Sequence, residues 1–112
     1  MMIEVTIYNY LKDEMDVPVF LEQPDNAPES YIVLVKTSSN YENKLSSSTF
    51  AFQSYAPSLY GAAKLNDDLK KTMYNIVVLD EIAFVRLNSD YNFTDTTTKR
   101  YRYQAVFDFK HY

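Results

Sequence analysis

Apolar residues recur every fourth position at the start of the chain: Ile3, Ile7, Leu11 and Met15, with Tyr8 and Tyr10 widening the stripe and Lys12, Asp13 and Glu14 on the other side. That period predicts a helix over residues 3–15. Pro18 stops it. Val17, Val19 and Leu21 then alternate with Pro18, Phe20 and Glu22, which predicts a short strand. Proline cannot donate to a ladder, so this strand belongs at a sheet edge. The cluster Pro24-Asp25-Asn26-Ala27-Pro28-Glu29-Ser30 is a turn. Behind it, Tyr31-Ile32-Val33-Leu34-Val35 is apolar on both faces and β-branched, as expected of a strand buried on two sides.

From Ser38 to Ser47 the chain is polar, and Asn40-Tyr41-Glu42-Asn43 reads as a hairpin loop or an exposed arm. A strand follows, with Phe50, Phe52 and Ser54 facing opposite to Thr49, Ala51 and Gln53. The clearest element runs from Ser58 to about Ile76, apolar at Leu59, Ala62, Ala63, Leu69, Met73 and Ile76. Pro57 sits where the start of a helix tolerates it, and Asp67 and Lys71 are spaced for an ion pair on the solvated side. Gly61, the only glycine, is unfavourable inside a helix. It marks either a close backbone approach or simple tolerance near a helix end.

Two more strands are predicted, Ile82 to Asn88 and Tyr101 to Tyr112. In the second, Tyr101, Tyr103, Ala105, Phe107 and Phe109 alternate with Arg102, Gln104, Val106, Asp108 and Lys110. The order is α-β-β-β-α-β-β in a single domain. Because parallel βαβ alternation does not dominate, the expected fold is α+β, a mostly antiparallel sheet with two helices packed on one face.

Composition changes this picture in two ways. The aromatics are Tyr 11 and Phe 7 with no Trp, and tyrosine suits surfaces that are wet in a monomer and covered in an assembly. It equally suits the half-buried faces of small sheets. Charge is uneven: residues 1–35 hold seven acids against the single base Lys12, a balance of −6 within a total of −4, so the remainder sums to +2. An acidic first third disfavours phosphate contact, and no sequence-specific nucleic-acid partner is expected. Lys99, Arg100 and Arg102 around Tyr101 form the one basic cluster and read as a solvated hairpin end. With no cysteine, no apolar run near membrane-spanning length and no signal-peptide pattern at Met1-Met2-Ile3-Glu4, a reducing aqueous setting without a membrane partner is expected.

A search for chemistry yields no catalytic, cofactor or metal site. His111, the one histidine, is expected on a fraying end, which disfavours a Ser–His–acid triad. Asp67-Asp68 and Asp80-Glu81 read as solvated acids. A single glycine excludes the glycine-rich phosphate loops. Asp90-Tyr91-Asn92 with Asp95 lacks the glycine and distal glutamate of a calcium loop. What remains is binding surface. The segments from Thr37 to Ser48 and from Asn88 to Arg100 are long, polar and aromatic-bearing, and unstructured connections of that length are usually functional or disordered. The candidate subunit-interface residues are Tyr41, Glu42, Lys44, Tyr91, Phe93, Arg100, Tyr101 and Arg102.

The chain resembles the small tail-completion, or tail-terminator, proteins of long-tailed bacteriophages and prophages. The resemblance lies in the helix Ile3–Met15 with its Val17–Leu21 strand, in Phe50-Ala51-Phe52-Gln53-Ser54-Tyr55 running into Leu59-Tyr60-Gly61-Ala62-Ala63-Lys64-Leu65, and in the closing strand Tyr103-Gln104-Ala105-Val106-Phe107-Asp108-Phe109. Tyr55 stands where the family more often has tryptophan, and the Asn88–Arg100 connection is long. The resemblance implies a non-enzymatic virion subunit, made in the bacterial cytoplasm, that forms a homo-oligomeric ring, commonly a hexamer, at the head–tail junction. The ring would stop tail-tube polymerisation and touch the tail tube protein on one side and head–tail connector proteins on the other. It also implies lumen-facing acids, none of which the sequence assigns. The competing readings are a head–tail connector or minor capsid subunit and, in another class, a monomeric regulatory module holding a peptide by strand addition.

Overall fold

The computed structural model describes every residue except Met1 and Asn43, together with the side chain of Glu42. Among the described residues the chain forms α1 (Ile3–Glu14), β1 (Val19–Phe20), β2 (Tyr31–Glu42), β3 (Leu45–Tyr55), α2 (Leu59–Tyr74), a 3-10 turn (Ile76–Val78), β4 (Ile82–Asn92) and β5 (Arg102–His111). The five strands make one sheet in the order β1-β2-β3-β5-β4. The β1–β2 pair is parallel and all others are antiparallel. The fold is α+β, with the expected element order.

Both helices lie on one face of the sheet, and the main core fills the space between. Ile3, Ile7 and Leu11 of α1, Leu65, Leu69 and Met73 of α2, and Ile76 meet Ile32, Leu34, Phe50, Phe52, Ala105, Phe107 and Phe109 of the strands. Phe52 packs edge-on to Phe107 at 5.8 Å and to Phe109 at 6.3 Å. As its composition requires, β2 is buried on both faces over Tyr31–Leu34, because residues 21–30 fold back over the outer face and Ala27 packs on Tyr31, Val33 and Tyr55. The edge position of β1 follows from Pro18, whose carbonyl accepts from Ile32 N at 3.0 Å.

The helix signals have local causes. Ser58 caps α2, its Oγ accepting from Gly61 N at 3.0 Å. A Cβ on Gly61 would stand 3.1 Å from that oxygen and 3.2 Å from Ala56 Cβ, so the glycine makes room for the cap. Asp67 pairs with Lys71 at 3.2 Å and Asp68 with Lys64 at 3.9 Å, both one helical turn apart.

Three expectations are corrected. The Thr37–Ser48 segment is not a loop. β2 runs to Glu42 and β3 starts at Leu45, pairing down to Glu42↔Leu45 across a bulge between Lys36 and Ser38. Asn88–Arg100 is likewise not all loop: it is strand as far as Asn92, with Phe93 N bonding Arg102 O at 2.9 Å and a bridge Asp95↔Arg100 beyond. Backbone ladders need no apolar period, so polar residues sustain strands where the sheet outruns the helices. Finally, His111 is no fraying end: it is the last residue of β5, paired with Ser46 and Ile82 on its two sides.

Candidate subunit-interface surfaces

Strand register decides where the candidate residues lie. Tyr31 pairs with Tyr55, and Tyr55 with Arg102. The β4–β5 turn therefore stands at the same end of the sheet as the start of β2. Ser46 and Ile82 both pair with His111, so the β2–β3 turn projects from the opposite end. Tyr91, Phe93, Arg100, Tyr101 and Arg102 are brought together at one end, and Tyr41 and Lys44 lie at the other. Glu42's side chain is outside the described residues. The molecule measures 44 × 25 × 24 Å.

At the β4–β5 end a transverse row crosses the sheet on the face away from the helices. Phe20 meets Tyr31 edge-on at 5.9 Å, and Tyr31 stacks on Tyr55 at 4.5 Å with planes 5° apart. Arg102 completes the row. Its Nη1 donates to Tyr55 Oη at 2.8 Å and its Nε to Phe93 O at 2.7 Å. Its guanidinium lies 4.4 Å from the Phe93 ring centre and 5.7 Å from that of Tyr55. A planar, always-charged fork can do both; a lysine cannot.

A second row runs beside it: Tyr55 Oη donates to Gln53 Oε1 at 3.3 Å, Gln53 Nε2 to Gln104 Oε1 at 3.0 Å, and Gln104 Nε2 to Tyr91 Oη at 2.5 Å. Tyr91 and Phe93 meet edge-on at 5.8 Å and stay exposed. The turn is stiffened by Asp95, whose Oδ1 accepts from Thr97 N and Thr98 N; those bonds hold its carboxyl below the ordinary range. Lys99, in the left-handed region at φ 55°, closes the turn. The result is a pre-formed aromatic and basic tip. Tyr101 contributes its main chain, its carbonyl accepting from Ala56 N at 3.2 Å.

Sequence reasoning found the tip and missed its supports. Tyr31 and Tyr55 join it by stacking, and Tyr55 and Gln104 by hydrogen bonds to Arg102 and Tyr91. Alternation along each strand could not relate the three to one another; only the register makes them neighbours. The feeble calcium-like spacing also has its explanation: Asp90 pairs with Lys70 at 3.0 Å, Asn92 Oδ1 caps Thr94, and Asp95 caps its own turn. Among the described residues no group of three or more His, Asp or Glu is placed to hold a metal, and no helix is long and apolar enough to cross a membrane.

Two polar centres lie further along the strands. Asp108, on the face away from the helices, accepts from Thr49 Oγ1 at 2.8 Å, Arg86 Nη2 at 2.9 Å and Asn88 Nδ2 at 3.2 Å. Burial alone would raise its pKa, but these donors outweigh it and hold the carboxyl below the ordinary value. On the helix face, Ser48 Oγ lies 2.9 Å from His111 Nε2. Ser48 is 3% exposed, so its hydroxyl is closed to a substrate in this structure.

No family profile matches the chain, and no curated protein matches it in sequence.

Proposed function

We propose that this protein is a structural virion subunit that closes into a ring at the head-proximal end of a long bacteriophage tail, ending tail-tube polymerisation and joining tail to head. The observation that carries this reading is the placement of two unlike arms at opposite ends of one five-stranded sheet. One presents Tyr41 and Lys44. The other presents Tyr91, Phe93 and Arg100 on a framework fixed by Arg102. Unlike surfaces on one subunit mate head to tail, and such contacts close into a ring when the rotation per subunit divides a full turn. A ring of this kind has two different faces, one for the tail tube protein and one for the head–tail connector. The element order, read first from the residue pattern, is compatible with the resemblance to tail terminators on which this reading rests.

The deciding experiment images particles made without the protein. Tails of unregulated length, or tails unattached to heads, are the expected outcome. Normal-length tails joined to heads would sink the proposal, and a ring located by cryo-EM within the head or its connector would move the subunit there.

One observation favours a second reading, a module that binds a peptide by strand addition. β4 is an 11-residue strand that pairs on one side only, with β5. Its outer edge offers unpaired main-chain groups. A saturable one-to-one peptide complex without self-assembly would support this reading.

A further inference from the structure

The strand β4 joins two surfaces of opposite character. At its far end is the aromatic and basic tip, where Phe93, Lys99 and Arg100 are exposed beside Tyr91. At its near end the 3-10 turn leads into Ile82 and leaves Val77 49% and Val78 73% exposed. Those valines border two adjoining grooves of about 530 and 380 Å³ that share Tyr10, Glu14 and Val78. Asp13, Glu14 and Glu81 rim them, and all three are exposed. Among the described residues no base lines either groove. Tyr10 forms the wall, held by its Oη donating to Thr72 O at 2.8 Å. At about 3.3 Å per residue, the 11 residues of β4 put about 35 Å between tip and grooves.

From these surfaces we infer that the tip of one copy docks in the α1/3-10 groove of the next, Phe93 and Tyr91 covering Val77 and Val78 while Lys99 and Arg100 meet Glu14, Asp13 and Glu81. This rests on the ring reading and names its mating surfaces. Charge complementarity selects the occupant: the groove carries exposed acids around apolar side chains, and the tip carries exposed bases around aromatic ones. A flexible basic arm would lose entropy on docking, whereas this tip is already fixed by Arg102 and the Asp95 turn. Because the contact joins two unlike surfaces about 35 Å apart, it repeats from copy to copy unless two copies exchange it reciprocally, and the ring reading takes the repeating form.

The native chain contains no cysteine, so single introduced thiols report proximity directly. Val78→Cys and Thr96→Cys, both at exposed positions, are made in the full chain and oxidised at concentrations where the wild type self-associates. The expected result is a disulfide in the mixture of the two variants and in neither alone, with the double variant giving a ladder of oligomers. In parallel, Arg100→Glu is expected to weaken self-association by more than about tenfold, and Glu14→Arg in the same chain to restore it.

Homotypic disulfides exceeding the mixed one, or self-association unchanged in R100E, would overturn this contact while leaving the ring reading standing. A chain monomeric at every concentration would overturn the contact as well. The ring reading would then rest on particles lacking the protein, whose tails test it independently.

Discussion

Ser48 and His111 share one hydrogen bond of 2.9 Å across β3 and β5, 3% and 8% exposed. They are diagonal neighbours, since the register pairs His111 with Ser46 and Ser48 with Phe109. Burial lowers the His111 pKa; Lys36 on β2 lowers it further, while a hydrogen bond with the Tyr112 main chain and the charge of Glu4 on α1 oppose the change. Lys36 and Glu4 themselves pair at 3.6 Å.

A histidine whose pKa is depressed in the folded state takes up its proton more readily when unfolded. The stability it contributes is therefore complete above its unfolded pKa of about 6.5 and is lost as pH falls below that value. The melting temperature is expected to drop between pH 7 and pH 5. In H111Q, which keeps a hydrogen-bonding side chain beside Ser48, that drop should shrink. Equal pH profiles for the two proteins would refute the assignment.

Asp108 behaves as a depressed carboxylate, so its contribution is present above about pH 4 and disappears as acid protonates the folded state. D108N strands Arg86 and weakens three hydrogen bonds. A loss of about 1–2 kcal/mol at pH 7, shrinking toward pH 3, is expected in urea titrations.

Arg102→Lys keeps the charge and loses the fork. The bonds to Phe93 O and Tyr55 Oη cannot both be made from a single ammonium, and stacking on Phe93 is lost. The expected cost is about 1–2 kcal/mol, with faster amide exchange confined to residues around the β4–β5 turn. Exchange that speeds up uniformly across the sheet would argue against a local support.

Phe52 is fully buried among Phe50, Phe107 and Phe109. F52A opens a cavity that the ring stack cannot close, and about 3–5 kcal/mol should be lost on denaturant unfolding.

Ser54 Oγ is buried on the same strand without a partner. Removing it relieves an unsatisfied group rather than breaking a bond, so S54A is expected to stabilise by about 1 kcal/mol. A lower melting temperature for S54A would show that the hydroxyl is satisfied in solution.

The pattern of side chains was enough to place the elements. Ile3, Ile7 and Leu11 had to share a helix face, and Phe50 and Phe52 a strand face, because burying one side of an element imposes its own period. Pro18 likewise fixed an edge, since it lacks the donor an interior strand needs. Outside that reach lay whatever depends on pairing between distant segments. The polar arms carry no apolar period, so their strands exist only because main-chain donors and acceptors find partners across the ladder. Tyr55 meets Arg102, and Ser48 meets His111, through a register set by the whole antiparallel sheet. One residue of slip would turn each side chain to the other face, so tertiary structure alone decided that the aromatic tip and its supports are one object.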